Sequence, residues 1–330
     1  MHFLYKKVAP NQVSWPCRLR YIQLLRKILT PMPNQDTART SIVTPLLFAG
    51  LLACGVSVAQ AAEPLVVRHN FFIDQNSTTL NYKGEVLALI LERSKAKYGP
   101  YVMKKGAQKD WSQSQSYQQL EKGTIDLMSS MTNYAREQSG LPVRYCLYKG
   151  LLGVRIGMGT SATVATLDGL QTREELNKVK LGQVFDWPDY DIQTEAGLQV
   201  VRLTSVASSI EPLKTGTFHL LPLGIVEVAP IAKKYDLKTV STWAIAYPTA
   251  YYFFVSKQRP ELAKRLEHGF EQAIKDHSFD QLFAKRMGPL IAAADLDHRK
   301  LFHIRNPYLP KATPLARKEL WHPLVSSILQ

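Results

Sequence analysis

Beyond residue 61 the sequence holds one cysteine, Cys146; the other two, Cys17 and Cys54, lie upstream. That part therefore has no cysteine pair to join, and a chain able to bury a large core does not need one. Cys146 reads as a small buried hydrophobe rather than a catalytic thiol. The nucleophile-elbow, zincin and phosphate-loop patterns are missing. Gly157-Met158-Gly159 lacks the third glycine and the strand–turn–helix context of a dinucleotide fingerprint. The eight histidines form no pair with metal-ligand spacing. No catalytic residue, metal ligand or cofactor is assigned, and the chain is not read as an enzyme. No Lys/Arg run interleaved with aromatics occurs, which excludes a nucleic-acid reading. There is no internal repeat.

What is present is an ordinary globular composition, 45% hydrophobic and 21% charged over 330 residues, with an uneven charge. Residues 1–61 carry seven Lys/Arg and one acid, a net +6 of the total +14, so the remainder carries +8. Such an excess favours an anionic ligand or surface, or is a solvated basic exterior. Residues 42–58 are apolar and uncharged, follow Arg39 and end at Ala59-Gln60-Ala61. This is the layout of a secretory signal peptide, cleaved after Ala61, and it predicts a periplasmic protein. Counted from Met1 the leader is long; counted from Met32 it has 30 residues, inside the usual range of about 15–30. Met32 is the expected start. Leu51-Leu52-Ala53-Cys54 competes as a lipoprotein box, but bulky Leu52 fits it badly.

After residue 62 strands and helices alternate, the signature of an α/β fold. Leu65–His69, Tyr101–Met103 and Ile125–Met128 read as strands. Val86, Leu87, Ile90 and Leu91 have helical spacing, stopped at Gly99-Pro100. Pro260 opens a helix with Leu262, Leu266, Phe270 and Ile274 on one face. Two extended runs, Leu151–Met158 and Tyr251–Val255, bracket a central α/β unit. This predicts two lobes joined by a two-strand hinge: residues 62–154 plus 255–330, and residues 155–254. The proline-bearing tail from Asn306 is expected to wrap the surface without regular structure.

Several pieces, in order, resemble the type II periplasmic solute-binding proteins, the family that includes amino-acid receptors of ABC transporters. Gly123-Thr124-Ile125-Asp126-Leu127 is similar to the family's G-x-(I/V)-D strand. Met131-Thr132-Asn133-Tyr134-Ala135-Arg136-Glu137 is similar to its T-x-x-R-E loop, and Asp276-His277-Ser278-Phe279 to its D-G-S-F. The resemblance spans roughly residues 64–290, and Gly182 to Asp189 looks like a divergent branch. It implies a two-lobed periplasmic-binding-protein type II fold. It also implies a monomer that captures a small solute, carboxylated or anionic, for an ABC permease or a membrane receptor. The same fold includes cyclohexadienyl dehydratase, so a periplasmic lyase or a ligand-sensing partner is the alternative. Asn133 stands where the receptors have Thr, and no carboxylate follows Gly216-Thr217-Phe218-His219 until Glu227. A free α-amino acid is therefore not the expected solute.

The resemblance places Arg136 in the cleft, where a guanidinium suits bidentate capture of a carboxylate; a salt bridge to Glu137 is the plainer alternative. Thr132 and Asn133 add polar contacts or simply shape the turn. Trp187 precedes Pro188 at an expected helix start, where it can stack on a ligand or pack in the core. Asp189 in the first turn suits the helix dipole as well as a ligand. His69, ending the first strand, and Glu227 complete the candidate ligand-binding set.

Overall fold

A computed structural model describes residues 63–71, 81–106 and 111–329. The expected leader and cleavage site, with Met32 and Cys54, lie outside the described residues. Among the described residues no helix is long and apolar enough to cross a membrane.

The first stretch runs β1 (Leu65–His69), α1 (Tyr82–Arg93), α2 (Lys95–Tyr98), β2 (Tyr101–Lys105), α3 (Gln113–Glu121), β3 (Leu127–Met131), α4 (Tyr134–Ser139) and β4 (Leu141–Val143). The central stretch follows as β5 (Val154–Gly159), α5 (Ser161–Leu167), α6 (Arg173–Leu176), β6 (Lys180–Val184), α7 (Pro188–Glu195) and β7 (Gln199–Leu203). It continues through α8 (Ile210–Lys214), β8 (Leu221–Gly224), α9 (Val228–Tyr235), β9 (Lys238–Thr239) and β10 (Trp243–Ala246). The chain then adds β11 (Tyr251–Val255), α10 (Pro260–Lys275), α11 (Ser278–Ala294) and β12 (Lys300–His303).

Two groups of strands make the two lobes. In the first, β1 and β2 are parallel, and β11 lies antiparallel between β3 and β4. Arg68 O accepts from Asp126 N at 3.0 Å, which joins the two pieces beside β1. In the second, β5 is antiparallel to both β8 and β10, β6 and β7 are parallel, and a Leu181–Leu220 bridge links the pairs. Two strands lie differently from the division read in the sequence. β11 belongs to the first lobe's sheet, and β12 pairs with β10 in the second. β11 is buried on both faces and so carries no pattern that says which sheet it joins, while β12 is a four-residue strand with only Phe302 buried, too short to show one.

Local chemistry explains the helices. Asn81 caps α1, its side chain accepting from Gly84 N at 3.1 Å, and Val86, Leu87, Ile90 and Leu91 form the buried face. That face meets α10, where Pro260 sits at the first helical position and Leu262, Leu266 and Phe270 point inward. The two helices approach so closely that a Cβ on Gly269 would lie 2.1 Å from Ile90 O. The tail differs from expectation. It forms short 3₁₀ turns at Lys318–Leu320 and Pro323–Ile328 and buries Leu320, Trp321 and Val325. Trp321 presses on Gly150, where a Cβ would lie 2.9 Å from the indole. Those apolar side chains outweigh the tail's prolines, which only exclude long helices and central strands.

Candidate functional site

The loop after β3 is held by its own side chains. Asn133 caps α4 by accepting from Arg136 N at 2.8 Å. Buried Thr132 donates to Glu137 Oε1 at 2.8 Å, and Glu137 in turn pairs with Arg144 at 2.5 Å. The Arg136 guanidinium turns away from Glu137. Its Nη1 donates to Ser130 Oγ at 2.5 Å and Met131 O at 3.1 Å; its Nη2 donates to Asp186 O, in the second lobe, at 2.7 Å. It also faces the Tyr117 ring, 5.7 Å from the centroid. All three acceptors are neutral, and burial lowers the Arg136 pKa from its ordinary value.

A second cluster sits at the start of α7. Trp187 occupies the cap position and Pro188 the first helical one. Asp189 in the first turn is 2% exposed; it accepts from the Tyr247 hydroxyl and pairs with Arg155 Nη2. Arg155 lies on β5 and is itself 2% exposed. Burial works against its charge, but Asp189, Tyr247 and Glu227 together hold its pKa above the usual value. Glu227 Oε2 stands 3.8 Å from Arg155 Nη1, beyond a hydrogen bond. Arg155 Nε and Nη1 have no hydrogen-bond partner among the described residues. Enclosure by protein raises the pKa of Glu227, and Arg155 only partly offsets this.

These groups line a cavity of about 190 Å³ between the lobes. The second lobe contributes Arg155, Trp187, Asp189 and Glu227; the first contributes Lys83, Gln113 and Tyr251. An adjoining cavity of about 180 Å³ shares Lys83, Gln113 and Tyr251. Lys83 Nζ lies 5.7 Å from the Tyr251 ring centroid and 6.0 Å from that of Phe71. Among the described residues it has no hydrogen bond or ion pair. A larger opening of about 430 Å³, lined by Arg136, Asp186, Trp187 and Asp191, lies alongside.

Of the residues read from the sequence, Trp187, Asp189 and Glu227 come together at the cleft cavity. Arg136 and Asn133 line the neighbouring opening instead. Thr132 lines none of the three cavities. Nor does His69: it is fully buried, its Nδ1 accepts from Phe71 N at 3.2 Å, and its ring stacks on Phe71. Burial pushes its pKa down to about 4, so the imidazole is neutral at neutral pH. Sequence reading missed Arg155, Lys83, Gln113 and Tyr251. Two of these carried a signal. Arg155 is the one charge inside the apolar run Leu151–Met158. Lys83 is a cation in the first turn of α1, the end where the helix dipole disfavours it. Among the described residues no group of three His, Cys, Asp or Glu side chains is arranged to hold a metal ion.

The cleft is lined from two α/β lobes, with charged groups facing each other across it. Solved structures place the fold more narrowly. An ancestral arginine-binding protein bound to arginine aligns with a TM-score of 0.50 at 17% identity, covering 69% of this chain and 100% of its own. A Salmonella typhimurium periplasmic binding protein with high arginine specificity gives 0.51 at 12%, covering 68% and 100%. A Silicibacter pomeroyi His/Glu/Gln/Arg/opine family-binding protein in complex with lysine gives 0.51 at 13%, covering 68% and 97%. At such identities the likeness is one of fold: the chain has the two-lobed type II periplasmic-binding-protein architecture. No protein-family model matches the chain, and no curated protein matches its sequence.

Proposed function

We propose that this chain is a periplasmic solute-binding protein. Its lobes, residues 62–154 with 255–330 and residues 155–254 apart from the exchanged strands β11 and β12, close over a small carboxylated or otherwise anionic solute. It acts as a monomer, without catalysis, and hands the solute to an ABC permease or a membrane receptor. One observation carries the reading. Arg155 is buried at the cavity with Nε and Nη1 lacking hydrogen-bond partners, and Lys83 faces the same space from the other lobe. A buried guanidinium with unmet donors calls for an acceptor, and a solute carboxylate in the cavity supplies one through a charge-assisted hydrogen bond. Lys83 adds a second positive charge, and Trp187 and Tyr251 offer faces for an apolar body. The leader at residues 42–61 supports export.

The test is a thermal-shift screen of the mature protein with small carboxylates, because a ligand that binds only the folded state raises its stability. A carboxylate that shifts the wild-type melt but not that of Arg155→Lys supports the reading. No shift from any anion, with shifts from cations or neutral sugars, overturns it. A second reading rests on Glu227, whose raised pKa beside Arg155 suits acid–base work. Turnover of prephenate or arogenate would establish a lyase in place of a binder.

A further inference from the structure

The turn between β6 and α7 grips the opposite lobe by both ends of one residue. The Asp186 carboxylate accepts from Ser114 N at 2.9 Å and from the Ser114 hydroxyl, while its own carbonyl accepts from Arg136 Nη2 at 2.7 Å. Ser114 is the second residue of α3, a position whose N–H has no partner inside its helix. Ser112 and Gln115 form a capping box there, but it satisfies other donors. The end of α3 thus presents an unmet N–H and the positive pole of a nine-residue helix, and a carboxylate from the second lobe meets both. Arg136, whose other acceptors are the neutral Ser130 Oγ and Met131 O, completes the grip.

We infer that Asp186 is a latch: it holds the two lobes together through Ser114 and Arg136, and so sets the balance between open and closed forms. The inference deepens the solute-binding reading and rests on it for its purpose, but not for its test. Every contact is made by protein atoms, so the closure it favours needs no solute. It also gives Arg136 a role different from a ligand anchor. Arg136 is a positioning residue that holds the turn bearing Trp187 and Asp189 over the cavity. Neither the Asp186 side chain nor Ser114 lines the cleft cavity. A change at either alters solute affinity through the closing equilibrium, because affinity scales with the fraction of the competent form.

Single-molecule energy transfer on the mature protein reads that balance directly. Lys95→Cys in the first lobe and Glu174→Cys in the second give exposed labelling sites, and the one native cysteine beyond the leader, Cys146, is buried. Asp186→Ala removes two of the three contacts. We expect the closed-to-open ratio to fall on the order of tenfold, about the effect of one charge-assisted hydrogen bond. Ser114→Asp sets a carboxylate against Asp186 at a helix position that favours acids, so α3 is retained while the latch is repelled. It should open the lobes at an unchanged melting temperature. Equal closed fractions in the wild type and both variants, or a wild type that is predominantly open, overturn the latch. Either result leaves the solute reading to its own screen.

Discussion

Replacing Arg155 by methionine keeps much of the side chain's volume and removes its charge. Asp189, 2% exposed, then keeps the Tyr247 hydroxyl but loses its counter-ion. Removing one member of a buried pair costs about 3–5 kcal/mol, because the remaining charge is left uncompensated. Each kcal/mol moves the melting temperature of a domain of 150–250 residues by about 2–4 °C, so Arg155→Met should melt roughly 6–20 °C lower. Pairing it with Asp189→Leu removes the orphan charge, and stability should return to within about 1–2 kcal/mol of wild type. The assay is calorimetric melting of the mature protein and the three variants. A single variant that melts within 2 °C of wild type, or a double variant no more stable than the single one, would refute the claim that this pair is buried and mutually dependent. Arg155→Lys separates stability from binding. The ammonium still answers Asp189 but cannot present the planar fork. It should retain most of the melting temperature and lose carboxylate affinity by about 30-fold or more.

Glu227 gives a pH prediction. Its pKa is raised by desolvation between the cleft walls, although the side chain is 38% exposed, so the folded protein holds that proton more tightly than the unfolded chain. The group's contribution to stability is full below its unfolded pKa and is lost as pH rises through the raised folded one. An anion bound beside it also favours the protonated form, so carboxylate affinity should fall as pH rises through that window. Glu227→Gln should flatten the profile in calorimetric titrations; an unaltered slope would exclude Glu227. Gly269→Ala would drive a Cβ to 2.1 Å from Ile90 O and should cost about 1–3 kcal/mol by overpacking, read in urea melts. N-terminal sequencing of the exported protein should begin at Ala62; a product retaining residues 42–58 would disprove cleavage at that site.

Much of the fold was legible because its elements carry strong local chemistry. The spacing of Val86, Leu87, Ile90 and Leu91, and that of Leu262, Leu266 and Phe270, identified α1 and α10 as amphipathic helices. Strand ends were less legible. The third strand runs Leu127–Met131, two residues later than its first-read start. Asp126, read as part of that strand, is instead a fully buried carboxylate shared by Arg68 and Arg259. The tail was misread because prolines mark what a segment avoids, whereas Trp321 and Val325 decide where it packs.

The cleft chemistry was only half legible, and the reason is physical. A resemblance in one loop drew attention to Arg136, whose guanidinium is spent on Ser130, Met131 and Asp186. Arg155 is adjacent in sequence to none of its neighbours: Asp189, Glu227 and Tyr247 reach it from three separate segments of the second lobe. Pattern reading assigns a lone arginine in an apolar strand to an edge or to a local partner, and β5 offers neither. It runs between β8 and β10 with every residue buried. An arginine retained at such a position carries a large desolvation cost, which Asp189 offsets through one nitrogen only. The two nitrogens left unmet point to a partner from outside the chain. The proposed anion recognition would then be concentrated on the second lobe, beside the hinge. On that reading a solute touches β5 directly and adds its contacts to a closure that the Asp186 latch already favours without it.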